Sequence, residues 1–261
     1  MFAAELPDDT VIMDRLLAET AFVRILLRGD WAAQISPDTW GNTGSTLLFG
    51  ANARPFPVRV SGPFTVAGFG IKPSGWRALF TEPATTYTDK MVPLAEAWGD
   101  LATDMETALA SATDDAQIVE AMEICIRAQL AKVGRPKEDM LISRLESTAR
   151  MDSTIKIETV AETLGLSVRQ IERRCLKSFG MSPKLVFQRS RFLDMAAAMR
   201  GLTNPSETQL AGLRFFDQSH LNREFRAFTG MTPGQFRRSE TPLLTEGLKL
   251  RAEGDFLFKP R

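Results

Sequence analysis

Histidine is almost missing from this chain: His220 is the only one in 261 residues. A zinc or iron site built on several histidines is therefore excluded, and so is a Ser-His-Asp triad in the N-terminal part. His220 lies inside a helical repeat, so its expected role is packing or a backbone contact. Cysteine is nearly as scarce. Cys125 and Cys175 lie far apart in segments of helical pattern, which reads as two buried free thiols in a reducing cytosol. Apolar runs are short, as at Thr46 to Phe49 and Ile25 to Leu27, against the roughly 20 residues a membrane span needs. The N-terminus sets Glu5, Asp8 and Asp9 behind Met1 and Phe2, with no basic flank leading into an apolar stretch. No signal peptide is expected, and a cytoplasmic location is. No phosphate-binding loop, Cys-x-x-Cys pair or His-carboxylate cluster occurs. Glu82, Asp89 and Glu96 could act as acid or base in an N-terminal enzyme domain, but no pairing spacing marks them. The expectation is a protein that is not an enzyme and holds no metal or cofactor.

What is present is enough for two ordinary cores: 44% of residues are hydrophobic and 25% charged. Net charge is zero, but its distribution is uneven. Residues 151–240 carry 14 Lys and Arg against 9 Asp and Glu, a net of +5, whereas residues 1–150 carry 14 against 20, a net of −6. Such a division suits a chain of which only one part meets a polyanion.

That basic part repeats itself. Ile171, Arg173, Cys175 and Gly180-Met181-Ser182-Pro183 recur as Leu221, Arg223, Phe225 and Gly230-Met231-Thr232-Pro233, fifty residues on. Two copies are too few for a solenoid and suit one small unit used twice. In the first, Val160, Ala161 and Leu164 mark a helix starting near Glu158. Gly165 ends it and Ser167 caps the next helix. That helix buries Ile171, Cys175 and Phe179 at intervals of four and displays Arg169, Gln170, Glu172, Arg173, Arg174 and Lys177. A short glycine-bearing turn between two helices defines a helix-turn-helix. The second copy begins near Glu207 with Leu210, Ala211 and Leu213, turns through Arg214-Phe215-Phe216, and is capped by Asp217. Its second helix buries Leu221, Phe225 and Phe228, and Thr232-Pro233 opens a short last helix. Between the copies, Lys184 to Met199 lacks Gly and Pro and reads as one long connecting helix.

These residues resemble the AraC (AraC/XylS) family of bacterial transcriptional regulators over about a hundred positions. The Leu164-to-Ser167 turn, the Arg-rich second helix, both Gly-Met-Ser/Thr-Pro stretches and the run Phe215 to His220 carry the resemblance. A glycine usually stands where this chain has Arg214, which raises the backbone cost of a left-handed turn there. The resemblance implies a DNA-binding domain whose second helices enter the major groove, with successive grooves roughly 34 Å apart engaged by one chain. By position, Arg169, Glu172, Arg173, Gln218, Ser219 and Arg223 match the base-facing residues. Arg suits guanine, Gln adenine and Glu cytosine. Arg174, Lys177, Arg189, Arg226, Arg237 and Arg238 are expected at phosphates. Double-stranded DNA is the implied partner, with a small-molecule effector, a second copy of the chain and RNA polymerase as candidates and no membrane. A competing reading makes the two units degenerate DNA-binding motifs that bind protein instead; a salt-independent chain would favour it.

The N-terminal half reads differently. Val11, Met13, Leu16 and Leu17 suggest a helix within residues 1–20. From Ala21 to Tyr87, short apolar runs such as Val58 to Val60, Thr65 to Ile71 and Trp76 to Phe80 alternate with turns at Ser36-Pro37-Asp38 and Gly62-Pro63, which predicts a small β-rich sheet or barrel. Helices follow over Leu94 to Ala110 and Asp114 to Leu130, the latter a dimer face or a cover for the sheet. Gly70 to Trp76, Met91 to Leu94 and Trp98-Gly99 are similar to the N-terminal domain of one AraC subgroup, implying effector sensing or dimerisation. Trp31, Trp40, Trp76 and Phe80 are pocket candidates, though such aromatics are more often core. The expected fold is α+β: a barrel-like N-terminal domain with flanking helices (1–133), a linker (134–139), an all-α double helix-turn-helix domain (140–240) and a C-terminal tail (241–261).

Overall fold

A computed structural model describes residues 1–17, 20–36, 38–41, 44–136, 138–203 and 218–257. Its N-terminal half is one antiparallel seven-stranded sheet built on two long strands, β3 (Ala21–Ser36) and β6 (Phe56–Ile71). β1 (Phe2–Leu6) and β2 (Val11–Leu16) pair with the free edge of β6. β4 (Thr39–Gly41) and β5 (Thr46–Phe49) pair with β3, and β7 (Met91–Pro93) closes the far edge on β5. Strand alternation sorts the apolar side chains into two layers. Val23, Ile25, Leu48, Phe69 and Ile71 face a helical cover, whereas Trp31, Leu47, Phe49, Val58, Val60 and Val66 form the core of the opposite face.

Three sequence expectations fail in this half, each for a tertiary reason. Residues 1–20 contain β1 and β2 in place of a helix: Val11 and Met13 are 64% and 66% exposed, while Asp14 between them and the core is buried. The edge of β6 supplies hydrogen-bond partners that a sparse helical stripe could not match. Gly62-Pro63 is no turn, because β6 runs through it, opposite register shifts of β3 between Leu26 and Asp30. Trp76 to Phe80 is not a strand: Pro73–Gly75 starts a single 3₁₀ turn and α1 (Trp76–Leu79) follows. This lays Trp76 on Phe80, ring centroids 4.1 Å apart, with Trp98 and Tyr87 alongside. The helical segment from Leu94 to Ala110 divides at Gly99 into α2 (Ala95–Trp98) and α3 (Asp100–Ala110). α4 (Asp115–Val133), capped by Asp114, completes the cover. The four pocket candidates do not line one space. Trp31 belongs to one layer, Trp76 and Phe80 to the other, and Trp40 lies at the surface.

The C-terminal half is helical. α5 (Met140–Met151) is capped by Asp139 and α6 (Ile157–Leu164) follows. α7 (Val168–Ser178), α8 (Pro183–Met199), α9 (Gln218–Thr229), α10 (Pro233–Arg238) and α11 (Pro242–Leu257) complete it. The first copy of the repeat packs Ile171, Cys175 and Phe179 against Ile142, Leu145 and Val160. The second packs Phe225, Phe228 and Phe236 against Phe192 and Leu193 of α8, and against Leu244 and Leu248 of α11. Each fully buried aromatic or aliphatic side chain contributes about 1.5–3 kcal/mol. The tail thus forms a packed helix. Both cysteines are buried and free, as their helical settings suggested. Among the described residues no helix is long and apolar enough to cross a membrane.

The two halves share both helical cores. Ala51 enters the first and Leu17 the second, while Leu243 of α11 packs on the sheet. Polar ties accompany them. Asp14 Oδ2 accepts from the backbone N–H groups of Leu243 (2.8 Å) and Leu244 (3.4 Å), capping α11; burial is the main cause that raises its carboxyl pKa. Arg189 Nη1 donates to Asn52 O at 2.9 Å, and Thr88 Oγ1 donates to Gly180 O at 2.8 Å.

Candidate nucleic-acid interface

The second helix of the first copy, α7, is set by local chemistry. Gly165, with φ of 65°, ends α6 in the left-handed conformation that glycine adopts without strain, and Leu166 N–H returns to Ala161 O at 2.9 Å. Ser167 and Gln170 then form a reciprocal capping box at the start of α7. With Ile171, Cys175 and Phe179 anchored inward, helical geometry turns Arg169, Glu172, Arg173 and Lys177 to solvent, where all four are exposed. At the C-terminal end of α7, Gly180 lies so close to the N-terminal half that an added Cβ would stand 2.2 Å from Thr88 Oγ1. Burial pushes the Cys175 thiol up to about 12, so it is a packing group here.

Its counterpart in the second copy, α9, repeats the pattern: Phe225 and Phe228 are buried while Ser219, Arg223 and Arg226 are exposed. Its exit carries a second capping box, Thr232 with Gln235, ahead of α10, where Arg237 and Arg238 are exposed. The preceding helix expected near Glu207, the turn at Arg214 and the cap at Asp217 lie outside the described residues, as do the side-chain surroundings of Gln218 and His220.

Sorting the cations by their partners separates scaffold from surface. Arg169, Arg173, Lys177, Arg223, Arg226, Arg237 and Arg238 are exposed and make no ion pair among the described residues. Arg189, expected at a phosphate, is corrected: it is 2% exposed on the inward side of α8 and serves the contact with Asn52. The length of α8 hid this, because a helix enclosed by two cores has no free face at that position. Arg174 is half-buried, 3.5 Å from Asp139, so its charge is shared with the cap of α5. The sequence reading also missed a set of internal arginines. Arg191 reaches Glu224, itself 2% exposed, at 3.3 Å and ties α8 to α9. Arg200 lies 4.2 Å over the Phe236 ring and donates to Ser239 O and Thr241 Oγ1. Arg251 joins Asp194 at 2.7 Å and donates to Ser190 Oγ. Only Phe236 and the paired carboxylates could have signalled these roles.

α6 and α7 thus form a helix-turn-helix, and the long α8 joins it to α9; both α7 and α9 present cations that make no ion pair among the described residues. Residues 160–239 match the family described as a helix-turn-helix domain. No curated protein sequence matches the chain. Solved structures of ToxT from Vibrio cholerae resemble it at low identity. One is 11% identical with a TM-score of 0.47 and covers 91% of this chain and 97% of that one. The unsaturated fatty acid bound form is 10% identical with a TM-score of 0.46, covering 90% and 93%. The form bound to (E)-4-(8-methylnaphthalen-1-yl)but-3-enoic acid is 12% identical with a TM-score of 0.48, covering 93% and 98%.

Proposed function

We propose that this chain regulates transcription by laying α7 and α9 into successive major grooves on one face of a duplex. The observation that carries the reading is the division of the arginines: those on α8 and α11 are consumed internally, while Arg169 and Arg173 on α7 and those on α9 and α10 are exposed and make no ion pair among the described residues. Arg169, Glu172 and Arg173 read bases from the first unit, and Gln218, Ser219 and Arg223 from the second. Lys177, Arg226, Arg237 and Arg238 supply phosphate contacts, with Arg174 in a lesser role because of Asp139. The sheet half acts as the sensor: Thr88 bonds to Gly180 at the end of α7, Leu17 enters the second core, and Asn52 and Asp14 hold α8 and α11, so a change in the sheet alters the placement of the two units. A second copy docks through the outer face of α4, where Val119 and Ile124 are exposed beside Glu123 and Arg127. The domains act as 1–133 for sensing and dimerisation and 140–240 for DNA, joined by 134–139.

The test is binding of the purified chain to a library of genomic fragments across a salt series. Sequence-selective binding that weakens steeply with salt supports the reading. Binding that ignores salt, or no binding at all, leaves the two units as protein-binding surfaces and overturns it.

A further inference from the structure

The fifty-residue repeat sets Arg174 of α7 in register with Glu224 of α9, and both residues tie their helix to the scaffold, with the charges reversed. In the second copy the helix supplies the anion. Glu224, 2% exposed, takes Arg191 of α8 at 3.3 Å. In the first copy the helix supplies the cation: Arg174 reaches Asp139 at 3.5 Å, with 38% of its side chain exposed. The second pair is enclosed and the first is loose. An exposed pair of this length contributes little, because water screens it and two flexible side chains must be held in one geometry. Asp139 is also committed elsewhere. Its Oδ1 accepts from the backbone N–H groups of Leu141 (3.1 Å) and Ile142 (3.3 Å) at the start of α5, which leaves Oδ2 for Arg174. Its own backbone N–H donates to Ser74 O at 2.8 Å, so the residue that restrains Arg174 is bonded to the sheet half.

Among the described residues Arg174 is the one cation of α7 held by a carboxylate; Arg169, Arg173 and Lys177 make no ion pair. It shares a flank of the helix with the exposed Lys177, three residues on. We propose that Arg174 is exchanged between Asp139 and a backbone phosphate, so that Asp139 is an internal competitor that sets how tightly the first unit holds DNA. A phosphate offers the guanidinium two oxygens in a fork, where Asp139 has one to give. When Arg174 leaves, it vacates Oδ2 alone, and Oδ1 goes on capping α5. The exchange therefore needs no unfolding. Glu224 allows nothing of the kind in the second copy, because its pair is buried and its charge has the wrong sign for a phosphate. The bond to Ser74 gives the sheet half a hold on the competitor: a shift of the 3₁₀ turn at Pro73–Gly75 carries the carboxylate with it. This inference rests on the regulator reading above and adds to it the residue that limits its affinity.

The experiment measures binding of the purified full chain to a duplex selected from genomic fragments, across a salt series. Four forms are compared: the parent, Asp139→Asn, Arg174→Gln and the double variant. Asparagine caps a helix as well as aspartate does, so α5 is retained. Should Asp139→Asn fail to fold, Asp139→Ser takes its place, since serine also caps and carries no charge. Asp139→Asn is expected to tighten binding about two- to fivefold, the worth of an exposed pair. Arg174→Gln is expected to weaken binding and to reduce the salt slope by about one, as the loss of a phosphate contact does. The double variant should bind as Arg174→Gln does, because a competitor with nothing to hold has no effect. Unchanged or weaker binding in Asp139→Asn, an equal gain from that substitution when residue 174 is already glutamine, or a salt slope that ignores Arg174→Gln overturns the exchange. The two readings separate cleanly. Selective binding by the parent together with any of these results overturns the exchange alone, whereas no DNA binding in any form overturns the regulator reading and the exchange with it.

Discussion

The two copies of the repeat share a sequence pattern at a fifty-residue offset, yet they are held in place by different means. The first rests on a core with α5 and α6, completed by Val186 and Phe187 of α8 and by Ala51 of the strand half, and its helix is capped by the Ser167–Gln170 box. The second leans on elements far away in sequence. Phe192 and Leu193 come from α8, Leu244 and Leu248 from α11, and Leu17 from the strand half. Buried or half-buried arginines fasten it, with Arg191 on Glu224, Arg200 on Phe236 and Thr241, and Arg251 on Asp194. The lesson is that one local code can be displayed by two scaffolds. Both units touch the sheet half, the first through Ala51 and the Thr88–Gly180 hydrogen bond and the second through Leu17.

The sharpest way to break this contrast is Phe192→Ala. Phe192 is fully buried, 5.0 Å from both Phe225 and Phe228, and its truncation is expected to cost about 3–5 kcal/mol. Hydrogen exchange should show α9 and α10 losing protection while α7 keeps it; equal loss in α7 would mean the two units share one fold unit. Next come the surface cations. Arg173→Ala and Arg223→Ala are each expected to cost about 1–3 kcal/mol of operator affinity and relax preference at one base pair. Arg189→Ala, by contrast, should lower the unfolding midpoint and leave the salt slope of DNA binding alone. Unchanged affinity in both exposed-arginine variants would remove these residues from the interface.

A smaller effect sharpens the comparison further. Ser167→Ala and Thr232→Ala each remove one side of a capping box and are expected to cost about 1 kcal/mol in urea unfolding. The smallest change is a null result with a clear sign. With its thiol held near 12, Cys175 should stay unmodified by a thiol reagent at pH 8 in the folded chain and react only as the first unit unfolds. Rapid modification in the native state would show that this core opens more readily than that of a self-contained unit.

Legibility in the sequence followed the range of the forces involved. The first unit was readable almost to the residue: Gly165 as terminator, Ser167 as cap, and Ile171, Cys175 and Phe179 as the buried stripe are local signals, and α6 and α7 obey them. The exposed members of the candidate interface follow from the same helical geometry, which is why Arg169, Arg173, Arg223 and Arg226 stand where the pattern placed them. Arg189 did not, because its side of α8 is decided by the N-terminal half, 137 residues away. The strands β1 and β2 escaped for a similar reason: what makes them strands is the open edge of β6, not their own alternation.

The helices α6, α7 and α9, their buried stripes and the uneven charge were therefore legible in neighbouring residues along the chain, through caps, turns and a period of 3.6. The pairing of Arg174 with Asp139, the internal use of Arg191, Arg200 and Arg251, the helical tail and the contacts of Asp14 and Thr88 were decided only by folding. An arginine in a sequence is always a cation, but whether it meets DNA or a carboxylate depends on which distant segments close around it, and burial sets the cost of each outcome.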